Sequence, residues 1–314
     1  MDILIVGYGN IGKHIYDEFK TLKPDIYDPH IPPYSFRQDK HYDIAFICVP
    51  TDSLPGGSCD TSIVEKAVMD TDAEIIVIKS TIPPGTTCRL IALTGKKVIF
   101  SPEHYGVTQH CKTDPGFVVL GGEKSLCVVI AQAYYKVKNG YYKILFTDSV
   151  TAELSKYMLN SFLALKVTFC NEFAALAERF GVSYPELREL FIADERIGPS
   201  HTFCYPDKPY YDSHCFNKDV PALVSFAGDD APLLARMNEI NLAKKATKDR
   251  SHTPEHPAAP DVALQSQQSQ AIDASAAPES LRTEQFLPQA VEYDADGRSQ
   301  SSEGSKRRRT LKAS

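Results

Sequence analysis

Along the first half of the chain, short runs of β-branched and other apolar residues alternate with segments of helical spacing. That alternation predicts a parallel sheet covered by helices, since each crossover between parallel strands needs a connecting segment. Strands are expected at Ile3–Val6, Asp25–Tyr27, Ile44–Val49, Ile75–Lys79, Lys97–Phe100 and Phe117–Gly121. Several are apolar throughout, as strands covered on both faces must be. From Ser149 to about Gly181 the period changes, and Leu154, Met158, Phe162, Leu165, Phe169, Phe173 and Leu176 recur at steps of three and four. One long amphipathic helix is expected there. Further helices are expected at Tyr184–Ile192, Val220–Ala227 and Ala231–Thr247.

Beyond about Asp249 the periodicity stops, and Ser, Gln, Ala, Pro and charged residues take over, as in Gln265-Ser266-Gln267-Gln268-Ser269-Gln270. Such a segment buries too little apolar surface to offset its ordering entropy. The expected organisation is α/β. A Rossmann-type, doubly wound parallel sheet spans residues 1–147, an all-α dimerisation domain 148–248, and a disordered low-complexity tail 249–314. The tail ends in Lys306-Arg307-Arg308-Arg309. A solvated end explains that cluster more readily than contact with nucleic acid or an import receptor.

Composition narrows the class. With 314 residues and 43% hydrophobic content the chain can build a full core, and its length suits two domains. No apolar run approaches the roughly 20 residues that cross a bilayer. The N-terminus enters a strand directly, without a secretory signal, so the expected location is cytoplasmic and no membrane is implied. Eight cysteines are scattered without paired spacing or clustering with histidine, which points to free thiols and no metal site. A net charge of −6 provides no general attraction to nucleic acid.

The sharpest local signal is Gly7-Tyr8-Gly9-Asn10-Ile11-Gly12, which follows an apolar strand and opens a helical stretch. Gly7 permits the tight turn, Gly9 lets the backbone approach a pyrophosphate, and Gly12 allows helix and strand to pack closely. The phosphates are expected at the helix N-terminus, over Asn10 and Ile11. Asp28 ends the second strand about 20 positions later, where a carboxylate accepts hydrogen bonds from ribose hydroxyls. The same carboxylate repels a 2′-phosphate, and Pro29 to Ser35 include no arginine to hold one. NAD is therefore the expected cofactor.

Several further segments follow in order. They are Tyr42-Asp43-Ile44-Ala45-Phe46-Ile47-Cys48-Val49-Pro50-Thr51, Lys79-Ser80-Thr81-Ile82-Pro83-Pro84-Gly85-Thr86 and Ser101-Pro102-Glu103. Glu153, Lys156 and Asn160 come next, then Asp194-Glu195-Arg196-Ile197-Gly198 and Cys215-Phe216-Asn217-Lys218-Asp219. Over roughly residues 1 to 240 this arrangement resembles the UDP-glucose/GDP-mannose dehydrogenase family. The resemblance implies oxidation of the C6 hydroxyl of a nucleotide sugar to a uronic acid with two NAD, and a homodimer made through the helical domain.

It also implies roles. Cys215 matches the nucleophile that carries a thiohemiacetal and then a thioester. Lys156 and Asn160, four residues apart and so on one helix face, resemble the pair that stabilises a developing oxyanion. Asp219 and Thr81 would position or activate water, Glu103 would act as general base in thioester hydrolysis, and Glu103, Lys156, Asn160 and Lys218 would touch substrate. Val49, Pro50, Thr51 and Thr81 fall on the cofactor side.

The pattern also departs from the family. Tyr210-Tyr211-Asp212-Ser213-His214 replaces the glycine-containing loop usual before the cysteine, and His104-Tyr105-Gly106-Val107 replaces a Phe-Leu pair and a second carboxylate. Where members carry a third domain that binds the nucleotide, this chain reads as a polar tail. Besides an interaction protein acting through its basic tail, two functions stay open on sequence alone. One is a working nucleotide-sugar dehydrogenase; the other is a truncated, weakly active or inactive NAD-binding relative that serves as a dimeric regulatory module.

Overall fold

The computed structural model describes residues 1–36, 39–104, 106–107, 112–113, 116–138 and 142–251. All of them fall in one compact unit. The strands are β1 (Ile3–Val6), β2 (Asp25–Tyr27), β3 (Tyr42–Ile47), β4 (Ala73–Ile78), β5 (Val98–Phe100), β6 (Gly106–Val107), β7 (Lys112–Thr113), β8 (Phe117–Gly121) and β9 (Lys143–Thr147). The helices are α1 (Asn10–Phe19), α2 (Ser62–Asp70), α3 (Thr86–Thr94), α4 (Lys124–Val137), α5 (Ser149–Arg179), α6 (Tyr184–Ile192), α7 (His214–Ala227) and α8 (Pro232–Ser251).

Seven strands form one sheet in the order β2-β1-β3-β4-β5-β8-β9, while β6 and β7 pair separately. The order reverses between β1 and β3, so their carboxyl ends flank the crevice where open α/β sheets bind ligands. Two clusters of buried residues cover the sheet, one on each face. Ile5, Phe19, Phe46 and Tyr134 belong to one, and Leu4, Val64, Ile78 and Leu90 to the other.

The sheet departs from the expected all-parallel form at one junction. β5 and β8 pair antiparallel through Phe100 and Gly121, and β9 then pairs parallel to β8. The β8-α4-β9 unit thus runs opposite to the first five strands. β9 was not among the expected strands: it lies at the sheet edge, most of its residues are only partly covered, and it lacks the all-apolar signature. β3 and β4 end at Ile47 and Ile78, two residues and one residue earlier than the apolar pattern suggests. Just beyond these ends the Cys48 and Lys79 amides still donate to the Val6 and Ile47 carbonyls of the neighbouring strands, at 2.7 and 2.9 Å.

The long helix α5 is fastened to the sheet at its start. Asp148 caps it, accepting from the Thr151 amide at 2.9 Å. A Cβ on Gly121 would sit 2.4 Å from the Ala152 Cβ, so only glycine admits the helix there. The Glu153 carboxylate is fully buried and accepts from the Gly85 and Thr87 amides at 2.6 and 2.8 Å, and from the Thr87 hydroxyl at 2.6 Å. It supplies the acceptors that the first turn of α3 needs.

The apolar stripe on α5 does not face the protein. Leu154, Met158, Phe162, Phe169, Phe173 and Leu176 are exposed, Met158 by 74%. Leu165 alone of that series packs inward, beside the cluster of Ala164, Tyr211, Phe216 and Val220. The buried face is made of small and polar residues such as Ala152, Asn160, Ser161 and Thr168.

α7 begins at His214, six residues before the expected Val220, because Ser213 caps it by accepting from the Phe216 amide at 3.1 Å. Pro221 lies inside the helix. α8 runs to Ser251, past the expected start of the tail. The rest of the tail, with its basic end, lies outside the described residues.

Candidate functional site

The glycine turn joins β1 to α1 at the sheet's carboxyl edge. Gly7 has φ +88°, and a Cβ there would lie 2.7 Å from the Cys48 carbonyl oxygen. At Gly12 a Cβ would stand 2.0 Å from the Gly7 carbonyl oxygen, so both glycines are required by packing. Gly9 differs. Its backbone is extended (φ −76°, ψ −156°) and a Cβ there would meet nothing within 4 Å. Neither conformation nor packing demands glycine at this position, which leaves close approach of a ligand to the backbone as the reason.

The N-terminus of α1, at Asn10 and Ile11, has no side-chain cap and no acidic residue in its first turn. Its open amides suit a pyrophosphate. Asp28 accepts from the Tyr8 amide at 2.8 Å and the His30 amide at 2.9 Å, which ties the end of β2 to the turn. A carboxylate offers about four lone-pair sites, so capacity for ribose hydroxyls remains. The residues present therefore fit a dinucleotide. Gly9→Ala is expected to change stability by less than about 1 kcal/mol while weakening NAD binding roughly tenfold or more. Thermal melts and calorimetric titration check it; equal NAD affinity in the two proteins would contradict this role for Gly9.

A second group of residues gathers beside this edge. Asp219 on α7 is buried, and its Oδ2 accepts from Asn160 Nδ2 on α5 at 2.6 Å. Its Oδ1 accepts from Lys218 Nζ at 2.6 Å. Lys218 Nζ also reaches Thr51 Oγ1 at 3.3 Å, which joins α7 to the Val49-Pro50-Thr51 loop after β3. The Ser80 hydroxyl donates to the Val49 carbonyl at 2.6 Å and holds that loop beside buried Thr81. Gly57 in the following loop approaches Pro221 so closely that a Cβ would lie 2.9 Å from it.

Lys156, one turn before Asn160, is partly buried. Burial pushes its ammonium below the usual lysine range, opposed by Asp219, Cys215 and Glu103. Those charges bring the expected catalytic residues into one electrostatic neighbourhood. Cys215 is exposed in the first turn of α7, the end of a helix that carries partial positive charge. Pro50, expected on the cofactor side, is exposed.

Beneath these groups Glu103 has a buried partner, Lys79, to which sequence reasoning gave no role. Lys79 is 1% exposed and stands 3.4 Å from Glu103 Oε2 and 3.3 Å from Ser101 Oγ. The available signal was a lysine directly after the all-apolar run Ile75 to Ile78, since a buried ammonium demands a partner. His104, beside Phe117 with ring centroids 4.9 Å apart, was also missed. Burial, then Lys156 and Lys79, pull its imidazole down to about 4.

A histidine neutral in the fold below its unfolded value of 6.5 costs stability as pH falls. Its contribution is complete above about pH 6.5 and is lost progressively toward pH 4, by roughly 3 kcal/mol at most. Urea midpoints of the wild type and of His104→Gln across that range test this, the variant losing that part of the slope. Parallel curves would contradict it.

A cavity of about 490 Å³ opens at the start of α7, lined by Ser213 and Phe216 together with Val167, Arg188, His201 and Tyr210; Cys215, between the first two in sequence, is not on its wall. Its size suits a small organic ligand. Arg188 lies under the Phe203 ring, 3.7 Å from its centroid, and donates to Thr202 Oγ1 at 2.8 Å. His201 has φ +62°, strain of the kind found at ligand clamps.

The arrangement is similar to known proteins. The NAD binding domain of the UDP-glucose/GDP-mannose dehydrogenase family matches residues 35–137, and the central domain of the same family matches residues 150–243. The chain belongs to that family. Its cofactor is NAD. The UDP-glucose 6-dehydrogenase of Rickettsia prowazekii is 34% identical over 197 residues, 59% of this chain and 45% of the relative. That of Rhizobium meliloti is 32% identical over 228 residues, 67% of this chain and 51% of the relative.

Among solved structures, a UDP-glucose dehydrogenase from Pyrobaculum islandicum superposes with a TM-score of 0.64 at 25% identity, covering 79% of this chain and 68% of that one. A UDP-D-ManNAc dehydrogenase from Pyrococcus horikoshii gives 0.64 at 27%, covering 79% and 69%. The chain spans about half the length of the curated relatives it matches. No helix among the described residues is long and apolar enough to cross a membrane.

Proposed function

We propose that this chain oxidises the C6 hydroxyl of a nucleotide sugar, with UDP-glucose the first candidate, to the uronic acid through a thioester on Cys215. The observation that carries this reading is the convergence of Cys215, Lys156, the Asn160-Asp219-Lys218 cluster and Glu103 at the sheet edge that bears the glycine turn. Residues 1–147 would serve the cofactor and 148–248 the substrate. Bound NAD accepts a hydride from the sugar carbon in each of the two oxidations. The sugar would lie in the cavity at the start of α7, where Arg188 and the aromatic rims of His201 and Tyr210 suit a diphosphate and a base.

The chain's own residues would act as follows. In the first oxidation the hydroxyl proton would pass to a water molecule in the site, and the oxygen's developing charge falls to Lys156 and Asn160. The Cys215 thiolate adds to the aldehyde carbon, giving a thiohemiacetal whose second oxidation leaves a thioester. Glu103 takes a proton from water as that water attacks the thioester, the carbon–sulfur bond breaks, and Cys215 leaves as the thiolate with which the cycle began. Thr81 and Asp219 would orient that water. Incubation with NAD and a panel of UDP- and GDP-sugars tests the reading: NADH is expected with a nucleotide hexose bearing a free C6 hydroxyl. A protein that binds NAD and reduces none with any nucleotide sugar would sink it.

The exposed stripe from Leu154 to Leu176 supports a homodimer formed through α5, because contiguous apolar surface of this kind seeks a partner. Sedimentation velocity should show a dimer for the wild type and a monomer for the double variant Met158→Glu, Phe162→Glu. A wild type that sediments as a monomer would contradict the assignment.

A further inference from the structure

Behind Glu103, on the side away from Cys215, a polar cluster continues through the first layer of helices. The second oxygen of Glu103, Oε1, lies 3.9 Å from His14 Nε2 on α1. The same nitrogen lies 3.6 Å from Glu18 Oε1, one turn further along that helix. Glu18 in turn pairs with Lys138 Nζ at 2.8 Å, at the end of α4. The side chains of Glu18 and Glu103 are 6% and 11% exposed, whereas Lys138 at the far end is 21% exposed. The Tyr134 hydroxyl is buried, has no hydrogen-bond partner among the described residues, and lies within electrostatic reach of both Glu18 and Glu103.

The ion pair of Glu18 with Lys138 fastens α1 to α4, but it does not account for the position of His14 Nε2 between Glu18 and Glu103. The Lys79 ammonium already neutralises Glu103. Bringing a second carboxylate to the same imidazole nitrogen costs further desolvation without completing any element of the fold. One ring nitrogen carries one proton, so His14 Nε2 bonds to one carboxylate at a time. A nitrogen set between two carboxylates is a transfer geometry. The separations exceed hydrogen-bond length at rest, and a small pivot of the ring toward either side closes them, as is common in ligand-free catalytic sites.

We infer that His14 and Glu18 relay protons from Glu103 to solvent, an inference that rests on the proposed role of Glu103 in thioester hydrolysis. After Glu103 has taken a proton from the attacking water, its Oε1–H gives that proton to the Nε2 lone pair, which leaves an ionised Glu103 and an imidazolium. The imidazolium Nε2–H then passes it to Glu18 Oε1, restoring neutral His14. The Glu18 carboxyl releases the proton to water beside Lys138. No electrons move, and Glu103 is ready for the next turnover. Other titratable groups facing Glu103 are the ammonium groups of Lys79 and Lys156, the neutral imidazole of His104, and the buried Cys48 thiol and Tyr134 hydroxyl. The two lysines hold its charge without offering a path outward. His14 is thus a positioning and relay residue, since it acts through Glu103.

The first test uses the full chain with NAD and the nucleotide sugar that it oxidises. His14→Gln keeps polarity and size but cannot carry a proton, and is expected to lower the hydrolysis-limited rate on the order of 100-fold. NAD affinity and melting temperature should stay unchanged, and added imidazole buffer should restore much of the rate. Glu18→Gln should lower the rate alike and be rescued alike, with a lower melting temperature because Lys138 loses its partner. An unchanged rate in both variants, or a loss that imidazole does not rescue, would overturn the relay.

The second test is independent of turnover. With 15N-labelled histidine, the His14 ring resonances should respond to Glu103→Gln and, separately, to Glu18→Gln, because both carboxylates face the same nitrogen. A resonance that ignores either substitution overturns the relay. A wild type without turnover whose His14 resonances respond to both removes the dehydrogenase reading and retains the bridge.

Discussion

Cys215→Ala should abolish net formation of the acid, with steady-state NADH production falling on the order of 10⁴-fold or more, while NAD binding and the melting temperature stay as in the wild type. The loss is large because the thiol would form the only covalent bond between protein and substrate, and nothing nearby can replace it. Cys59 is the other thiol close to Lys218 and Asp219, but burial pushes it up, away from the reactive thiolate. Stability is spared because Cys215 is exposed and sits in the first turn of α7 without filling the core. The first hydride transfer does not need the thiol, so a burst of up to one NADH per site is expected before the reaction stalls. Rapid-mixing absorbance measurements distinguish burst from turnover. Sustained production of acid by Cys215→Ala would remove the thioester from the mechanism and leave the cofactor assignment standing.

Asp219→Ala has the largest expected effect on the fold, a destabilisation of about 3–5 kcal/mol. The carboxylate is buried and accepts from Asn160 and Lys218, whose own side chain is only 15% exposed. Removing it leaves an ammonium and an amide without their acceptor in a site that excludes most water. For a unit of this size each kcal/mol moves the melting temperature by roughly 2–4 °C, so a fall of about 10 °C is expected. Activity should fall as well, because Lys218 loses the partner that aims it at Thr51. Thermal denaturation followed by circular dichroism measures the first effect. A change below about 1 kcal/mol would mean that the cluster is solvated and that Asp219 does not order it.

The parts of the fold most legible in the sequence were those where one physical demand dominates. The runs Ile3–Val6 and Phe117–Gly121 have to be buried on both faces, and no other element tolerates them so readily. Gly7 and Gly12 have to be glycine because the Cys48 and Gly7 carbonyls leave no room. β9 escaped notice because an edge strand answers to no such demand, and its sequence Lys143 to Thr147 is half covered. The antiparallel pairing of β5 and β8 depends on the path of the connection between them, which periodicity does not encode.

The candidate site divides in the same way. Lys156 and Asn160 could be placed on one face from their spacing, and the motif around Cys215 pointed to α7. That Asp219 binds Asn160 across two helices, or that Thr51 reaches Lys218 over a separation of 167 residues, is tertiary information. The apolar period of α5 gave a helix, but did not show which of its faces packs on the sheet. The helix packs on the sheet with small residues such as Ala152 and leaves its large ones outward. Lys79 and His14 were silent because a charged residue in isolation reads as solvated. Only their burial beside Glu103 gives them a meaning.

The central claim, a two-step oxidation of a nucleotide sugar at this edge of the sheet, is tested most directly by stoichiometry. A limiting amount of UDP-glucose or another accepted nucleotide sugar is consumed to completion with excess NAD, and NADH and sugar acid are counted together. Two NADH for each sugar, with the uronic acid as the product, is the result this account predicts. One NADH with an aldehyde released, or NAD bound and never reduced, would contradict it.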